Sequence, residues 1–96
     1  MMEEKIMTLH PEGKAGVNIL KRRYDQVKEA ILMILDENGG ELTFKETSEI
    51  AQDVLKGNFD GKILWYVVTV KLDLEARGII KRVPKTSPHR IRRVDA

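Results

Sequence analysis

Apolar residues recur at helical spacing in the stretch Lys62–Val83. At about 100° per residue, one face of a helix there collects four apolar side chains, Ile63, Val67, Val70 and Leu74. Gly78 can adopt the left-handed conformation that ends helices, and the β-branched pair Ile79 and Ile80 favours a strand. The pattern predicts a long helix that ends at Gly78 and a strand that begins at Ile79.

The residues around this third helix predict how it begins and ends. Asp60 is a candidate N-cap, because its carboxylate can accept hydrogen bonds from the first free amides. Phe59 and Leu64 stand where a hydrophobic staple would cross that cap. Arg77 places a positive charge in the last turn, where carbonyl groups have no helical partner.

Two earlier helices are predicted. The first covers Lys21–Glu37 and is stopped by Asn38-Gly39-Gly40. The second covers about Phe44–Lys56 and opens with a capping box formed by Thr43 and Glu46. The apolar face of the first helix comprises Leu20, Tyr24, Val27, Ile31, Ile34 and Leu35. The second helix is expected to bury Phe44, Thr47, Ala51, Val54 and Leu55.

Short extended segments complete the pattern. Glu41-Leu42 is a short strand candidate between the first two helices. Ile79–Val83 and Arg90–Val94 form a predicted hairpin, whose connection contains two prolines that cannot join a regular ladder. Residues 1–19 are expected to form an N-terminal arm, with a turn at 10–16 and an extended piece at 17–20, before a single domain at 20–96.

The order helix, short strand, helix, helix, hairpin is that of winged helix-turn-helix proteins. The heptapeptide Leu74–Ile80 resembles the end of a recognition helix and the start of a wing. The chain resembles the winged-helix domains of MarR-like and PadR-like regulators. It is more similar to a family of short, stand-alone bacterial proteins of unknown function, through Pro11-x-Gly13-Lys14, Tyr24, Trp65-Tyr66 and Thr69–Gly78. The resemblance implies an α+β winged helix, with a three-helix helix-turn-helix core and a C-terminal β-hairpin wing, and it implies DNA binding.

Composition excludes several classes of function. The chain of 96 residues has no cysteine, so disulfides and thiolate metal sites are excluded. No apolar run approaches the roughly 18 residues of a membrane span, and the acidic N-terminus lacks a secretory signal, so we expect a cytoplasmic protein. The two histidines, His10 and His89, lie far apart, and no Gly-rich phosphate loop is present. We expect no catalysis, metal or cofactor.

Charge is distributed unevenly along the chain. Residues 29–76 carry four Lys and Arg against ten acidic residues, whereas residues 77–96 carry seven against one. The basic end indicates an anionic partner, and double-stranded DNA is the partner that the resemblance implies. The alternative is a solvated hairpin whose charges protect an edge strand. The candidate phosphate contacts are Lys81, Arg82, Lys85, Arg90, Arg92 and Arg93.

The third helix offers fewer polar groups than a base-reading helix needs. Beyond its core face, Lys62, Thr69 and Asp73 form one narrow stripe, and Tyr66 and Lys71 lie near its borders. Asp73 would repel phosphate. The candidate DNA contacts on this helix, which would approach the major groove, are therefore Lys62, Tyr66, Thr69 and Lys71.

A second apolar stripe runs along the same helix. It comprises Leu64, Val68 and Leu72 at spacing i, i+4, i+8, with Trp65 beside it. Either the wing or the arm, through Ile6, Leu9, Val17 and Ile19, covers this stripe, or it is a homodimer or partner-protein interface centred on Trp65. The sequence thus predicts a DNA-binding transcriptional regulator or accessory factor. The alternative is a protein-interaction or homodimerisation module, because a helix inside a dimer interface cannot also lie deep in a DNA groove.

Overall fold

The computed structural model describes residues 3–94, which form three helices and two antiparallel sheets. The predicted α+β class is therefore confirmed. In chain order the elements are β1 (Lys5–Met7), β2 (Asn18–Leu20), α1 (Lys21–Glu37), β3 (Glu41–Thr43), α2 (Phe44–Leu55), α3 (Ile63–Ala76), β4 (Ile80–Val83) and β5 (Arg90–Arg93).

Helix α1 has the predicted bounds, and its apolar face forms the centre of the core. The buried residues of this helix are Tyr24, Val27, Ala30, Ile31, Ile34 and Leu35. The helix ends where the amides of Asn38 and Gly40 both donate to the carbonyl of Leu35, at 3.0 and 2.7 Å. Gly40 has a φ of 89°, which is why a glycine serves there.

Helix α2 begins with the predicted capping box. The Thr43 hydroxyl accepts from the Glu46 amide at 3.0 Å, and the Glu46 carboxylate accepts from the Thr43 amide at 3.2 Å. The predicted burial of Val54 is wrong, because this side chain lies on the exposed side of the helix. Ser48 is buried instead, with its hydroxyl donating to the carbonyl of Phe44 at 2.9 Å.

Helix α3 begins later than its predicted cap. Its N-cap position is Lys62, which makes no side-chain capping bond, so the assignment of Asp60 as N-cap is wrong. The Asp60 carboxylate instead accepts from Arg22 and Arg23 of α1 at 3.1 Å, and these hydrogen bonds lower its pKa. The predicted staple is also wrong. Phe59 packs edge-on against Tyr66, with ring centroids 5.1 Å apart, while Leu64 points to solvent.

The three-stranded sheet has the order β3-β5-β4, and all its pairs are antiparallel. One face contributes Leu42, Ile80 and Ile91, which pack in or against the core. The two hairpin strands begin and end within one residue of the predicted bounds. Helix α3 leads into this sheet through Gly78, whose φ of 76° confirms the predicted left-handed stop.

The N-terminal segment forms a second sheet that was not predicted. Strands β1 and β2 pair in antiparallel fashion with Ile6 opposite Ile19, which is buried in the core. The connecting residues 8–17 form an N-terminal loop, in which Thr8 and Val17 are hydrogen-bonded through their backbones at 2.8 Å. A Cβ on Gly16 would lie 1.7 Å from the carbonyl oxygen of Thr8, so only glycine allows this close approach.

A buried carboxylate joins this loop to the helices. Asp73, which the sequence analysis placed on a surface stripe, is fully buried. Its carboxylate accepts from the Tyr24 hydroxyl, from the Leu9 amide at 2.9 Å and from the Arg77 guanidinium at 2.8 Å. Burial and the bond to Asp73 raise the pKa of Tyr24. Removing this carboxylate from water costs free energy, and the hydrogen bonds from its three donors offset that cost.

We expect Asp73→Ala to lower the free energy of unfolding by about 1–3 kcal/mol, because it leaves the buried Tyr24 hydroxyl and the part-buried Arg77 guanidinium without their acceptor. The measurement is urea denaturation followed by circular dichroism. Asp53→Ala is the matched control, since Asp53 is exposed on α2 and should change stability by less than about 0.5 kcal/mol. Equal unfolding midpoints for the two variants would contradict the role given to Asp73.

Candidate nucleic-acid interface

Strand register determines which side chains share the outer face of the three-stranded sheet. Lys81 of β4 lies opposite Arg92 of β5, which lies opposite Glu41 of β3. Directly opposed residues of an antiparallel pair project to the same face, so these three side chains form one row. A second row, two residues away and on the same face, contains Val83, Arg90 and Thr43. This outer face is turned away from the core.

Ion pairs separate the six predicted cations of the hairpin into two groups. Arg90 donates to the Glu41 carboxylate at 2.7 Å, and Arg93 donates to Asp36 of α1 at 2.8 Å. The other four are exposed, and among residues 3–94 no carboxylate lies within 4.0 Å of their charged groups. The name basic hairpin surface is used below for these four cations: Lys81 and Arg92 on the outer face, Lys85 at the tip, and Arg82, which lies opposite Ile91 and therefore projects to the other face of the hairpin.

The turn of the hairpin is held by its own hydrogen bonds. The Thr86 hydroxyl donates to the carbonyl of Val83 at 2.9 Å and accepts from the amide of Arg90 at 3.0 Å. Lys85 occupies the left-handed region with a φ of 61° and is exposed at the tip. Threonine thus closes the base of a turn that carries a lysine at its tip, which keeps this cation on the hairpin's outer end.

Two of the four polar α3 candidates are buried within the protein. The Tyr66 hydroxyl accepts from Arg23 at 2.8 Å. The Lys71 ammonium lies 3.1 Å from the Glu75 carboxylate and 5.0 Å from the centre of the Phe44 ring. Neither group is available to a DNA base. Lys62 is exposed and Thr69 is half-buried, so these two candidates remain at the surface.

The outward face of α3 is apolar. Leu64, Trp65 and Val68 are 51%, 46% and 38% exposed, and Leu72 is half-buried between them and the protein. The N-terminal loop lies beside this stripe, where it forms one wall of an open groove with Trp65 and Leu72. The arm therefore borders the stripe and leaves most of it exposed, in contrast to the alternative that the arm covers it.

His89 lies where the hairpin meets the helices. Its ring stacks on Phe44 with centroids 5.5 Å apart, and its Nε2 has no hydrogen-bond partner in the described part of the chain. Burial lowers its pKa, and the nearby charges of Lys71 and Arg82 lower it further, partly opposed by Glu75. From the sequence, His89 was noted only as lying far from His10, the other histidine. Its contact partners lie far away in sequence, so no local signal identifies this packing.

Among the described residues, no group of three His, Cys, Asp or Glu side chains is placed to hold a metal ion. None of the helices within 3–94 has the length and apolar character needed to cross a membrane.

Comparison with known proteins gives one match. A model described as a family of unknown function, DUF6958, matches residues 5–91. The predicted membership of a family of unknown function is confirmed to that extent. Searches of curated proteins and of solved structures gave no match.

His89 should make the stability of the protein depend on pH. Because its pKa is lower in the folded than in the unfolded state, the folded state is disfavoured as pH falls below about 6.5. The urea midpoint should be constant above that pH and decrease from about pH 6.5 to about pH 5.5, a range above most carboxylate titrations. His89→Gln should remove this decrease and His10→Gln should retain it. A decrease that persists in His89→Gln would rule out this assignment.

Proposed function

The chain belongs to this family of unknown function, and we propose that it is a winged-helix protein that binds double-stranded DNA through the basic hairpin surface. In this proposal the hairpin of β4 and β5 is the wing, and it contacts phosphate groups. The protein acts as a DNA-binding accessory factor or transcriptional regulator with limited sequence preference.

The element order supports the winged-helix assignment. The three helices enclose one core with the three-stranded sheet at its edge, and β3 pairs with the second strand of the C-terminal hairpin. Helices α2 and α3 follow each other across the segment 56–62, which contains two glycines. This arrangement is the one expected of a helix-turn-helix core with a single wing.

The observation that carries the DNA proposal is the exposure of four cations without acidic partners on one hairpin. Charges of either sign can protect an edge strand from pairing with another chain, so that role alone does not explain why all four are positive. Glu41, which lies directly opposite Arg92 in the sheet, and Asp36 of α1 are already paired with Arg90 and Arg93. A phosphate backbone is the ligand that such a surface fits, because each cation can replace one condensed counterion of DNA.

The apolar outer face of α3 is the reason to expect that the protein discriminates only weakly between DNA sequences. Reading base edges requires donors and acceptors, and the exposed side chains at the centre of this face are Leu64, Trp65 and Val68. Affinity in this proposal therefore comes from phosphate contacts, which carry little sequence information. Lys62 and Thr69 are the α3 side chains that remain able to touch DNA at the edge of such a contact.

The exposed stripe favours a second function, that of a protein-interaction module. Apolar contacts respond little to salt, whereas phosphate contacts weaken steeply with it. Salt dependence therefore separates the two proposals.

The DNA proposal predicts salt-sensitive binding in fluorescence anisotropy with a labelled mixed-sequence duplex. Four phosphate contacts give a slope of about −3.6 for the logarithm of affinity against that of salt concentration. Affinity should therefore fall about 100-fold between about 50 and about 200 mM salt. The double variant Lys81→Gln, Arg92→Gln should make the slope shallower by about 1.8 for each chain bound.

The control for this experiment is a variant of equal net charge. Lys5 in β1 and Lys56 after α2 are exposed, and both lie outside the three-stranded sheet. The double variant Lys5→Gln, Lys56→Gln should keep the wild-type slope. An equally reduced slope in both double variants would mean that DNA binding depends on the overall charge of the protein rather than on this hairpin. No binding of the wild type at low salt would reject the proposal.

A further inference from the structure

We propose that Arg90 reads guanine in the major groove of the DNA bound by the basic hairpin surface, and that Glu41 holds the guanidinium group in position. This role depends on the proposed function, to which it adds a sequence preference. Phosphate contacts bring the duplex to the outer face of the sheet. The two terminal nitrogens of Arg90 then donate to the acceptor atoms O6 and N7 of one guanine.

The ion pair with Glu41 occupies only one nitrogen of Arg90. The Nε atom donates to the Glu41 carboxylate at 2.7 Å, and within residues 3–94 neither Nη1 nor Nη2 has a hydrogen-bond partner. The Arg90 side chain is 37% exposed, so a ligand can reach these two nitrogens. The other arginines that pair with carboxylates in this part of the chain each use at least one terminal nitrogen: Arg22, Arg23, Arg77 and Arg93.

A planar group with two free N–H donors matches the edge of guanine. Guanine presents two neighbouring acceptors to the major groove, and arginine contacts them with two parallel hydrogen bonds. Adenine presents one acceptor beside a donor there, so it cannot accept both bonds. Because Glu41 already binds Nε, the Arg90 side chain is held in place before DNA arrives, and less conformational entropy is lost on binding.

Strand register places Arg90 beside two of the phosphate-binding cations. Arg90 and Arg92 are two residues apart on β5, about 7 Å along the strand, and both project to the outer face together with Lys81 of β4. A two-stranded β-ribbon fits the major groove of B-DNA, which is about 12 Å wide. The cations that hold the DNA backbone are therefore next to a group that can reach a base edge in that groove.

The Glu41 carboxylate makes a base a better ligand for Arg90 than a phosphate. A phosphate bound to Arg90 would lie close to this carboxylate, and the two negative charges would repel each other. The major-groove edge of guanine carries no net charge, so it is not repelled in this way. An acid within a basic surface thus opposes phosphate contact at this one position and orients the arginine for a base.

Fluorescence anisotropy at low salt with three duplexes of equal length tests this role. The first contains G·C pairs, and the third contains only A·T pairs. The second has the sequence of the first with 7-deazaguanine, in which carbon replaces N7 while base pairing and backbone charge are unchanged. The wild type should bind the first about tenfold more tightly than the third, and the second should lose most of that preference. The modified duplex separates contact with N7 from differences in groove shape.

Arg90→Lys keeps the charge of the side chain and removes its fork of two donors. This variant should bind the G·C and A·T duplexes with affinities within about twofold of each other, and its salt dependence should match that of the wild type. Arg93→Lys is the matched control, since Arg93 lies on the other face of β5, opposite Ile80, and pairs with Asp36. It should keep the preference of the wild type.

Glu41→Gln tests whether Glu41 acts by positioning Arg90. The preference for G·C pairs should decrease, because a neutral amide holds Nε less firmly than a carboxylate does. The slope with salt should become steeper by about 0.9, because Arg90 can then bind a phosphate. Weaker binding of both duplexes with an unchanged preference would mean that Glu41 only stabilises the sheet, and it would contradict the positioning role.

Two results would overturn the reading of guanine by Arg90 and leave the proposed function in place. One is salt-sensitive binding of the wild type with equal affinity for all three duplexes. The other is a preference for G·C pairs that persists in Arg90→Lys. Absence of salt-sensitive binding to every duplex would reject both the proposed function and the role of Arg90.

Discussion

The fold depends on one buried carboxylate that accepts hydrogen bonds from three separate parts of the chain. Asp73 receives the hydroxyl of Tyr24 from α1, the amide of Leu9 from the N-terminal loop and the guanidinium of Arg77 from the end of its own helix. A buried charge is tolerated only where such donors converge. The contacts fix the rotation of α3 about its axis, because Asp73 must face the protein.

That rotation determines what α3 presents to solvent. With Asp73 and the core residues Val67 and Val70 turned inward, the stripe centred on Val68 must face outward. The helix that a winged-helix protein would use to read DNA therefore has an apolar outer surface. Positive charge is concentrated instead on the neighbouring hairpin. The two candidate functions, protein interaction through the stripe of α3 and phosphate binding through the hairpin, follow from this separation between helix and hairpin.

Local signals in the sequence predicted much of this architecture. The bounds of α1, the capping box of Thr43 and the left-handed stop at Gly78 are each encoded within a few residues, so periodicity and capping rules find them. The hairpin strands were also predicted, because β-branched and basic residues follow a helix stop. The apolar stripe of α3 was also predicted, because its residues recur at helical spacing.

Interactions between distant residues were not predictable in this way. Periodicity assigns charged residues to the surface, yet Asp73 and Lys71 are buried because partners from other elements satisfy them. Asp60 stands at the sequence position of an N-cap, but its carboxylate accepts hydrogen bonds from two arginines of α1 instead of from the amides of α3. The pairing of Arg90 with Glu41 likewise depends on strand register. Which hairpin cations remain unpaired could therefore be read only from the structure.

In the proposed mode of binding, DNA contacts the basic hairpin surface rather than the outer face of α3. The most direct measurement is a titration of the isotope-labelled protein with a short duplex, followed through backbone amide chemical shifts at low salt. The largest changes in chemical shift should lie in residues 80–93 and should disappear as salt is added. Shifts centred on Leu64, Trp65 and Val68, with the hairpin unchanged, would contradict it.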